Sequence, residues 1–494
     1  MQNLLTSEQM RTVDAYTIEN KGISAIDLME SACHAFVRAF IEEVKDRSLP
    51  IAILSGKGNN GADGLAVARL LKDAAYSKVS VYLILFSSRQ TEEYTINLER
   101  LKDAGITPVE INSALQLVDL KDKVIIDAVL GSGLNKVLEG SYRELAEVVN
   151  GLNRKIIAVD VPTGFPSEGM IHKDGTYLKA NLVICFQRPK LNFFFPESAD
   201  ALTHFKVVPI GLDEEFIQGL ASPYQLINAA SITKLVKPRK TFSHKGTYGH
   251  ALIIAGQEDT MGAALLASGA CLHAGAGLTT VSIPESGLTA LNTALPEVMY
   301  IKRNKLDDLK KFNAVAIGPG LGTDKESTAL LEKLLKLQLP LIIDADALNI
   351  LATHSELLKQ LPAGSILTPH MKEFDRLFGD HSSWWERLQT ARKKAAETRC
   401  VIVLKNQYTF IVDETGEVTI NSTGNPAMAQ GGMGDVLTGI ISSFLAQHYT
   451  PYEAAFIACY LHGRSGDELA DNSISLTASQ LARHLPITLK GLIK

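Results

Sequence analysis

The sequence predicts an α/β protein with two separate, largely parallel sheets, each covered by helices on both faces. Three observations carry that reading. Short apolar runs alternate with longer helix-periodic segments throughout. The runs are continuously apolar, as strands buried on both faces are, rather than alternating with polar residues. Polar or glycine-rich residues crowd their carboxyl ends, where open α/β sheets bind ligands.

In the first half the predicted strands are PIAILSG (50–56), VSVYLILF (79–86), VIIDAVL (124–130), IIAVDVP (156–162) and NLVICF (181–186). Amphipathic segments such as 63–75 and 141–150 lie between them. The second half repeats the grammar with ALIIAG (251–256), LTTVSIP (278–284), AVAIGPG (314–320), LPLIIDAD (339–346) and SILTP (365–369). CVIVLKN (400–406), YTFIVD (408–413) and EVTIN (417–421) follow so closely that they predict an antiparallel edge. The run VLTGIISSFLAQ (436–447) reads as a helix. The segment 210–224 marks a boundary, giving domains over 1–213 and 224–494.

Bulk properties narrow the function classes. A chain of 494 residues, 46% hydrophobic and 21% charged, has the make-up of a globular protein with two or three cores. A net charge of −5 argues against a general nucleic-acid binder. The 5 cysteines are scattered and odd in number, with neither metal-ligand spacing nor a disulfide framework, which fits a reducing cytoplasm. The opening MQNLLTSEQMRTVD does not read as a secretory signal. No apolar stretch approaches the roughly 20 residues of a membrane span. The expectation is a cytoplasmic protein that binds small molecules, with no nucleic-acid or membrane partner, assembled as a homo-oligomer.

The most informative segment is GNPAMAQGGMGDVLTG, residues 424–439. Gly431, Gly432 and Gly434 precede Asp435 and the predicted helix. Glycine allows positive φ and close backbone approach, so successive N–H groups can converge on an anion, and a helix N-terminus adds positive partial charge. A carboxylate beside such a site suits proton transfer or metal binding in phosphoryl transfer. The plainer alternative is a glycine-rich turn in which Asp435 caps the helix.

In the first half, Gly56-Lys57-Gly58-Asn59-Asn60-Gly61-Ala62-Asp63-Gly64 follows a strand and opens a helix. Asn59 and Asn60 offer amide donors and carbonyl oxygens, while Asp63 suits ribose hydroxyls or a helix cap. Asp127 ends a strand that runs into Gly131-Ser132-Gly133-Leu134-Asn135, and Asp160-Val161-Pro162-Thr163-Gly164 ends another. Two carboxylates at neighbouring strand tips can bind a cation or exchange protons with a substrate. They can also simply cap the following turns.

KGNNGADG, the aspartate before GSGLN, and VDVPTG resemble the motifs of the NAD(P)H-hydrate epimerase family over roughly 1–213. That resemblance implies a Rossmann-like three-layer sandwich. It implies a hydrated dinucleotide held by Asn59, Asn60, Gly61, Ala62 and Asp63, by Gly131, Ser132, Gly133, Leu134, Asn135, Lys136 and Val137, and by Asp160. It also implies a potassium ion on Asn60, Asp127 and Thr163. The acid–base residue is Asp127 or Asp160 on position alone.

In the second half, GPGLG (318–322), His370-Met371-Lys372-Glu373-Phe374 and Lys405-Asn406-Gln407-Tyr408-Thr409 accompany the glycine-rich segment. Together they resemble the ADP/ATP-dependent NAD(P)H-hydrate dehydratase family, of ribokinase-like fold, over about 224–494. The implied hydrate ligands are Ala263, Gly318, His370, Met371, Lys372, Glu373, Phe374, Asp375, Arg376 and Asp435. The implied nucleotide ligands are Lys405, Asn406, Gln407, Tyr408 and Thr409, with Asn425, Pro426, Ala427, Met428, Ala429, Gln430, Gly431, Gly432, Met433 and Gly434.

The combined resemblance implies repair of NADHX and NADPHX: epimerisation of the R and S forms, then ADP-dependent dehydration of the S form, giving AMP and phosphate. ATP is the alternative donor, and Mg²⁺ is expected to bridge nucleotide and substrate oxygens. Asp435 would accept the hydrate's hydroxyl proton as phosphate is transferred. The competing reading is a ribokinase-fold small-molecule kinase with an N-terminal nucleotide-binding regulatory module.

Overall fold

The continuous apolar runs form buried strands because both sheet faces are covered. A computed structural model describes residues 1–133 and 136–493, and the chain divides into two units. One unit is 3–222 with 383–385; the other is 1–2, 223–382 and 386–494. A two-residue strand, β1 (Gln2–Asn3), opens the chain.

The first unit is built on seven strands: β2 (Ile51–Ser55), β3 (Val79–Ile84), β4 (Val109–Ile111), β5 (Val124–Ala128), β6 (Lys155–Val159), β7 (Ala180–Phe186) and β8 (Leu202–Val208). Their order is β4-β3-β2-β5-β6-β7-β8, all parallel. β2 sits beside β5, where the order turns back on itself, the position at which open sheets form a ligand crevice. Ile53, Leu65, Ile126 and Ile157 are fully buried in one core on this sheet. Each such side chain contributes about 1.5–3 kcal/mol by leaving water. The expected strands are all present; β4 and β8 were not foreseen.

The second unit has β9 (Tyr224–Leu226), β10 (His250–Ile254), β11 (Leu278–Ser282), β12 (Met299–Tyr300), β13 (Ala314–Ile317), β14 (Leu341–Ile343), β15 (Ile366–Leu367), β16 (Val401–Leu404), β17 (Thr409–Val412) and β18 (Val418–Asn421). They run in the order β9-β18-β17-β16-β15-β14-β13-β10-β11-β12. β16, β17 and β18 pair antiparallel, as their spacing predicts, and β10 to β16 are parallel to their neighbours in the central sheet. Ile253 and Ala316 enter one core cluster, while Leu252, Ile254, Val315 and Ile317 enter another. That two-sided burial is why these strands read as unbroken apolar runs.

All five cysteines are free and buried. No helix of the described residues is long and apolar enough to cross a membrane.

Candidate functional sites

Each unit holds a cavity at the carboxyl ends of its strands. In the first, a cavity of about 510 Å³ is lined by Asn59, Asn60, Asp63, Gly131, Ser132, Gly133 and Asp160. Ser7, Met10, Arg11, Asp14, Phe186 and Lys190 also line it. The helix Asn59–Asp73 starts at Gly58 without a side-chain cap, whereas Thr6 and Ser24 close their helices with capping boxes. Its first amides are therefore available to a ligand. A Cβ on Gly61 would lie 1.8 Å from the Gly56 carbonyl oxygen, so glycine is required where helix meets strand.

Asp160 has φ 65°, a left-handed conformation uncommon outside glycine. Its Oδ1 accepts the Phe186 N–H at 3.0 Å and lies 2.8 Å from Lys190 Nζ. Burial opposes the charge on Lys190, yet the Asp160 carboxylate holds its pKa above the ordinary lysine value. Asp63 lies inside the helix and does not cap it. Burial, then the Asp160 charge, push its carboxyl well above the usual range.

Asp127 is fully buried. Its Oδ1 accepts from Thr163 Oγ1 at 2.6 Å and its Oδ2 from Thr163 N at 2.7 Å. Burial pushes this carboxyl up to about 6 against the pull of those bonds. Nearby, Asn60 Nδ2 donates to Val159 O at 2.9 Å, while its buried Oδ1 has no hydrogen-bond partner among the described residues. An unpaired buried carbonyl oxygen is costly and fits a cation or ligand donor.

In the second unit, a cavity of about 430 Å³ is lined by Lys405, Asn406, Gln407, Thr409, Asn425, Pro426, Met428, Ala429, Met433 and Gly434, with Asn421, Thr423 and His462. The helix Met433–Ala446 begins at Gly432, φ 88°, again without a side-chain cap. Asp435 is thus in the first turn, not at the cap position. Of the three glycines, Gly432 alone has positive φ. Burial of His462 holds its imidazole down at about 4, and its Nε2 has no partner among the described residues. A neutral ring with a free nitrogen inside a cavity suits a ligand hydrogen bond.

Asp344, at the end of β14, ties this region together. Its Oδ1 is 2.9 Å from Lys405 Nζ, and its Oδ2 accepts from Thr438 Oγ1 at 2.6 Å. Burial would raise the Asp344 carboxyl, but Lys405 and Thr438 hold it below the usual value. Burial, then the charge of Asp344 and that of Asp346, push Asp435 up to about 6, with Lys405 pulling the other way. His370 bridges Lys405 through the backbone. A Cβ on Gly318, at φ 129°, would meet Asp344 O at 1.8 Å, and one on Gly320 would meet Ala263 Cβ at 3.1 Å. Ala263, Gly318, His370, Lys405 and Asp435 are therefore linked through Asp344 and the 318–320 turn.

The N-terminal region matches the family model described as YjeF-related protein N-terminus over 25–192. The model described as NAD(P)H-hydrate dehydratase matches 251–487. A relative in Moorella thermoacetica, the bifunctional NAD(P)H-hydrate repair enzyme Nnr, is 34% identical across 99% of this chain and 97% of its own length. The chain belongs to the bifunctional NAD(P)H-hydrate repair enzyme family. The Coxiella burnetii member is 32% identical across 98% of this chain and 99% of its own. A ribokinase-like superfamily protein from Enterococcus faecalis has a solved structure with TM-score 0.51 and 30% identity, spanning 56% of this chain and 98% of its own. The fold is as expected: Rossmann-like, then ribokinase-like.

Within this family member, the expected residues separate by what they touch. Ala62 is fully buried and Gly61 packs on Gly56, so they shape the wall rather than line it. Lys136 and Val137 line a different cavity of about 340 Å³, with His172 and Tyr177. Leu134 and Asn135 lie outside the described residues. Asp127 lies behind the cavity wall with both its oxygens accepting hydrogen bonds, whereas Asp160 lines the wall.

In the second unit, Tyr408, Ala427, Gln430, Gly431 and Gly432 frame the cavity without lining it. His370 caps the helix Met371–Phe378, its Nδ1 accepting from Lys372 N and Glu373 N. Phe374 is fully buried, Asp375 pairs with Arg387 at 2.7 Å, and Arg376 donates to Asn349 at 2.6 Å. Their side chains brace this segment, and Met371 is 42% exposed.

Sequence reasoning missed Asp14, Lys190, Asp344 and His462. Asp344 carries the signal already used for Asp127 and Asp160, an aspartate ending an apolar strand. The others have none, since only tertiary packing brings them to the cavities.

Proposed function

We propose that this protein repairs hydrated NADH and NADPH with two activities on one chain. An epimerase domain over 1–213 interconverts R- and S-NAD(P)HX. A dehydratase domain over 224–494 dehydrates the S form with ADP, releasing AMP and phosphate. The observation that carries the reading is the end-to-end match to a bifunctional repair enzyme at 34% identity. The five buried thiols fit a cytoplasmic setting.

The second cavity suits an adenine nucleotide, with its phosphates near the uncapped turn at Gly432–Gly434 and Lys405 offering a cation. The hydrate would lie toward Ala263, Gly318 and His370. Asp435, partly buried and raised toward neutrality, is suited to take the hydroxyl proton as that oxygen is phosphorylated. Phosphate is a far better leaving group than hydroxide, and its elimination restores the conjugated dihydronicotinamide. Among the described residues, no group of three or more His, Cys, Asp or Glu is placed to hold a metal, which fits Mg²⁺ arriving with the nucleotide. Bridging nucleotide and substrate oxygens, it would neutralise phosphate charge.

In the first unit, the free Asn60 Oδ1, Thr163 and Asp127 form an oxygen-rich set that fits potassium. The ion would offset the buried Asp127 charge and order the 127–131 turn. Asp160, rather than Asp127, is the acid–base group in contact with the substrate.

Incubating the protein with R- or S-NADHX and either ADP or ATP, and following dihydronicotinamide absorbance, tests the whole reading. Failure to recover NADH from the S form with both nucleotides would leave the small-molecule kinase alternative standing. The expected homo-oligomer is read from the mass in solution.

A further inference from the structure

We propose that Asp14 is the proton donor of the epimerisation, working across the cavity with the Asp160–Lys190 pair. This rests on the reading of that cavity as the epimerisation site. Asp14 is carried by the helix Ser7–Lys21, which also brings Ser7, Met10 and Arg11 to the cavity wall. Asp160 is fixed in position by its left-handed backbone, by the Phe186 N–H and by Lys190 Nζ at 2.8 Å. Asp14 has no such tether: no hydrogen-bond or ion-pair partner is found for it among the described residues.

The charged groups facing Asp14 are Asp160, Asp63 and Lys190, with Arg11 on its own helix. Burial, then the Asp160 charge, raise the Asp14 carboxyl to about 6, while Lys190 pulls it down. The environments of the two carboxyls therefore differ: Asp160 is paired with a cation 2.8 Å away, and Asp14 has no such partner among the described residues. Paired carboxyls separated in this way divide acid and base roles between them.

The chemistry balances with these two groups and water. Hydrating an enamine places the hydroxyl on the carbon beside the ring nitrogen, and breaking that C–O bond and re-forming it on the other face inverts the centre. Asp14 gives its proton to the hydroxyl, the C–O electron pair leaves with oxygen as water, and the nitrogen lone pair closes a C=N⁺ bond. Water then adds to the opposite face, its proton passes to Asp160, and the C=N electron pair returns to nitrogen. Proton exchange from Asp160 to Asp14 through cavity water restores the starting state, with no net gain or loss.

The test uses the full chain and compares R-hydrate conversion, corrected for the uncatalysed rate, with S-hydrate dehydration. Because the donor must be protonated, R-hydrate turnover in the parent falls as pH rises above about 6. Asp14→Asn is expected to lower kcat for the R hydrate by about 100-fold or more. KM and S-hydrate dehydration stay at parent values, and the falling limb disappears. Asp14→Glu is expected to recover turnover and the limb. Parental kcat in Asp14→Asn, with the limb intact or only KM raised, overturns the proposal. Asp160→Asn separates the levels. If that variant is inactive while Asp14→Asn is active, only the role of Asp14 falls. If both convert the R hydrate at the parent rate, the cavity is not the epimerisation site.

Discussion

Lys405 and Asp344 form an ion pair of 2.9 Å between the ends of two strands that are separated in the sheet by β15. Asp344 is only 2% exposed at its side chain, and Thr438 satisfies its second oxygen. Lys405 thus stands between a structural carboxylate and the candidate base Asp435. Removing the lysine leaves a buried charge unpaired, so Lys405→Met is expected to destabilise the second unit by about 3 kcal/mol. A lower denaturation midpoint for that unit checks this.

The same lysine tunes Asp435. A base must be deprotonated, so S-hydrate dehydration at saturating nucleotide is expected to fall as pH drops below about 6. Since Lys405 lowers the Asp435 pKa, any residual activity of Lys405→Met should lose its acid limb at higher pH than the parent. Asp435→Asn should lose about 100-fold or more in kcat while retaining nucleotide affinity. A pH–rate profile and calorimetric titration with ADP decide both points.

Gly432 has φ 88°, and a Cβ there would lie 2.5 Å from Leu266 Cδ1. Gly432→Ala is expected to cost about 1–2 kcal/mol from backbone strain alone. It should also turn the first helical amides away from the nucleotide, so Kd for ADP rises while R-hydrate epimerisation is unchanged.

Asn60 Oδ1 supplies a test of the cation. Exchanging potassium for a bulky organic cation should lower R-hydrate conversion and the melting temperature of the first unit. Asn60→Leu should lose that salt dependence while leaving S-hydrate dehydration intact.

The strand cores were legible because residues such as Ile53 and Ile253 sit in unbroken apolar runs that only a doubly covered sheet accommodates. β4 and β12 escaped notice because two or three residues at an edge carry no periodic signal. β8, LTHFKVV, escaped because it alternates apolar with polar residues. Glycine-rich turns after strands marked both cavities. The start of the helix at Met433 was harder to see, since Gly434 lies within its first turn and glycine disfavours helix. Lys190 and Asp14 have ordinary sequence surroundings, and they acquire chemical meaning only by facing Asp160.

The buried sulfur has a practical consequence. Burial raises the pKa of Cys33, Cys185, Cys271, Cys400 and Cys459, the third and fifth to about 12. Little thiolate forms near neutrality, and alkylating reagents find nothing to attack in the native molecule. Uptake of a thiol label therefore counts only those molecules that have opened, and the five native cysteines serve as a built-in clock for local unfolding in either half.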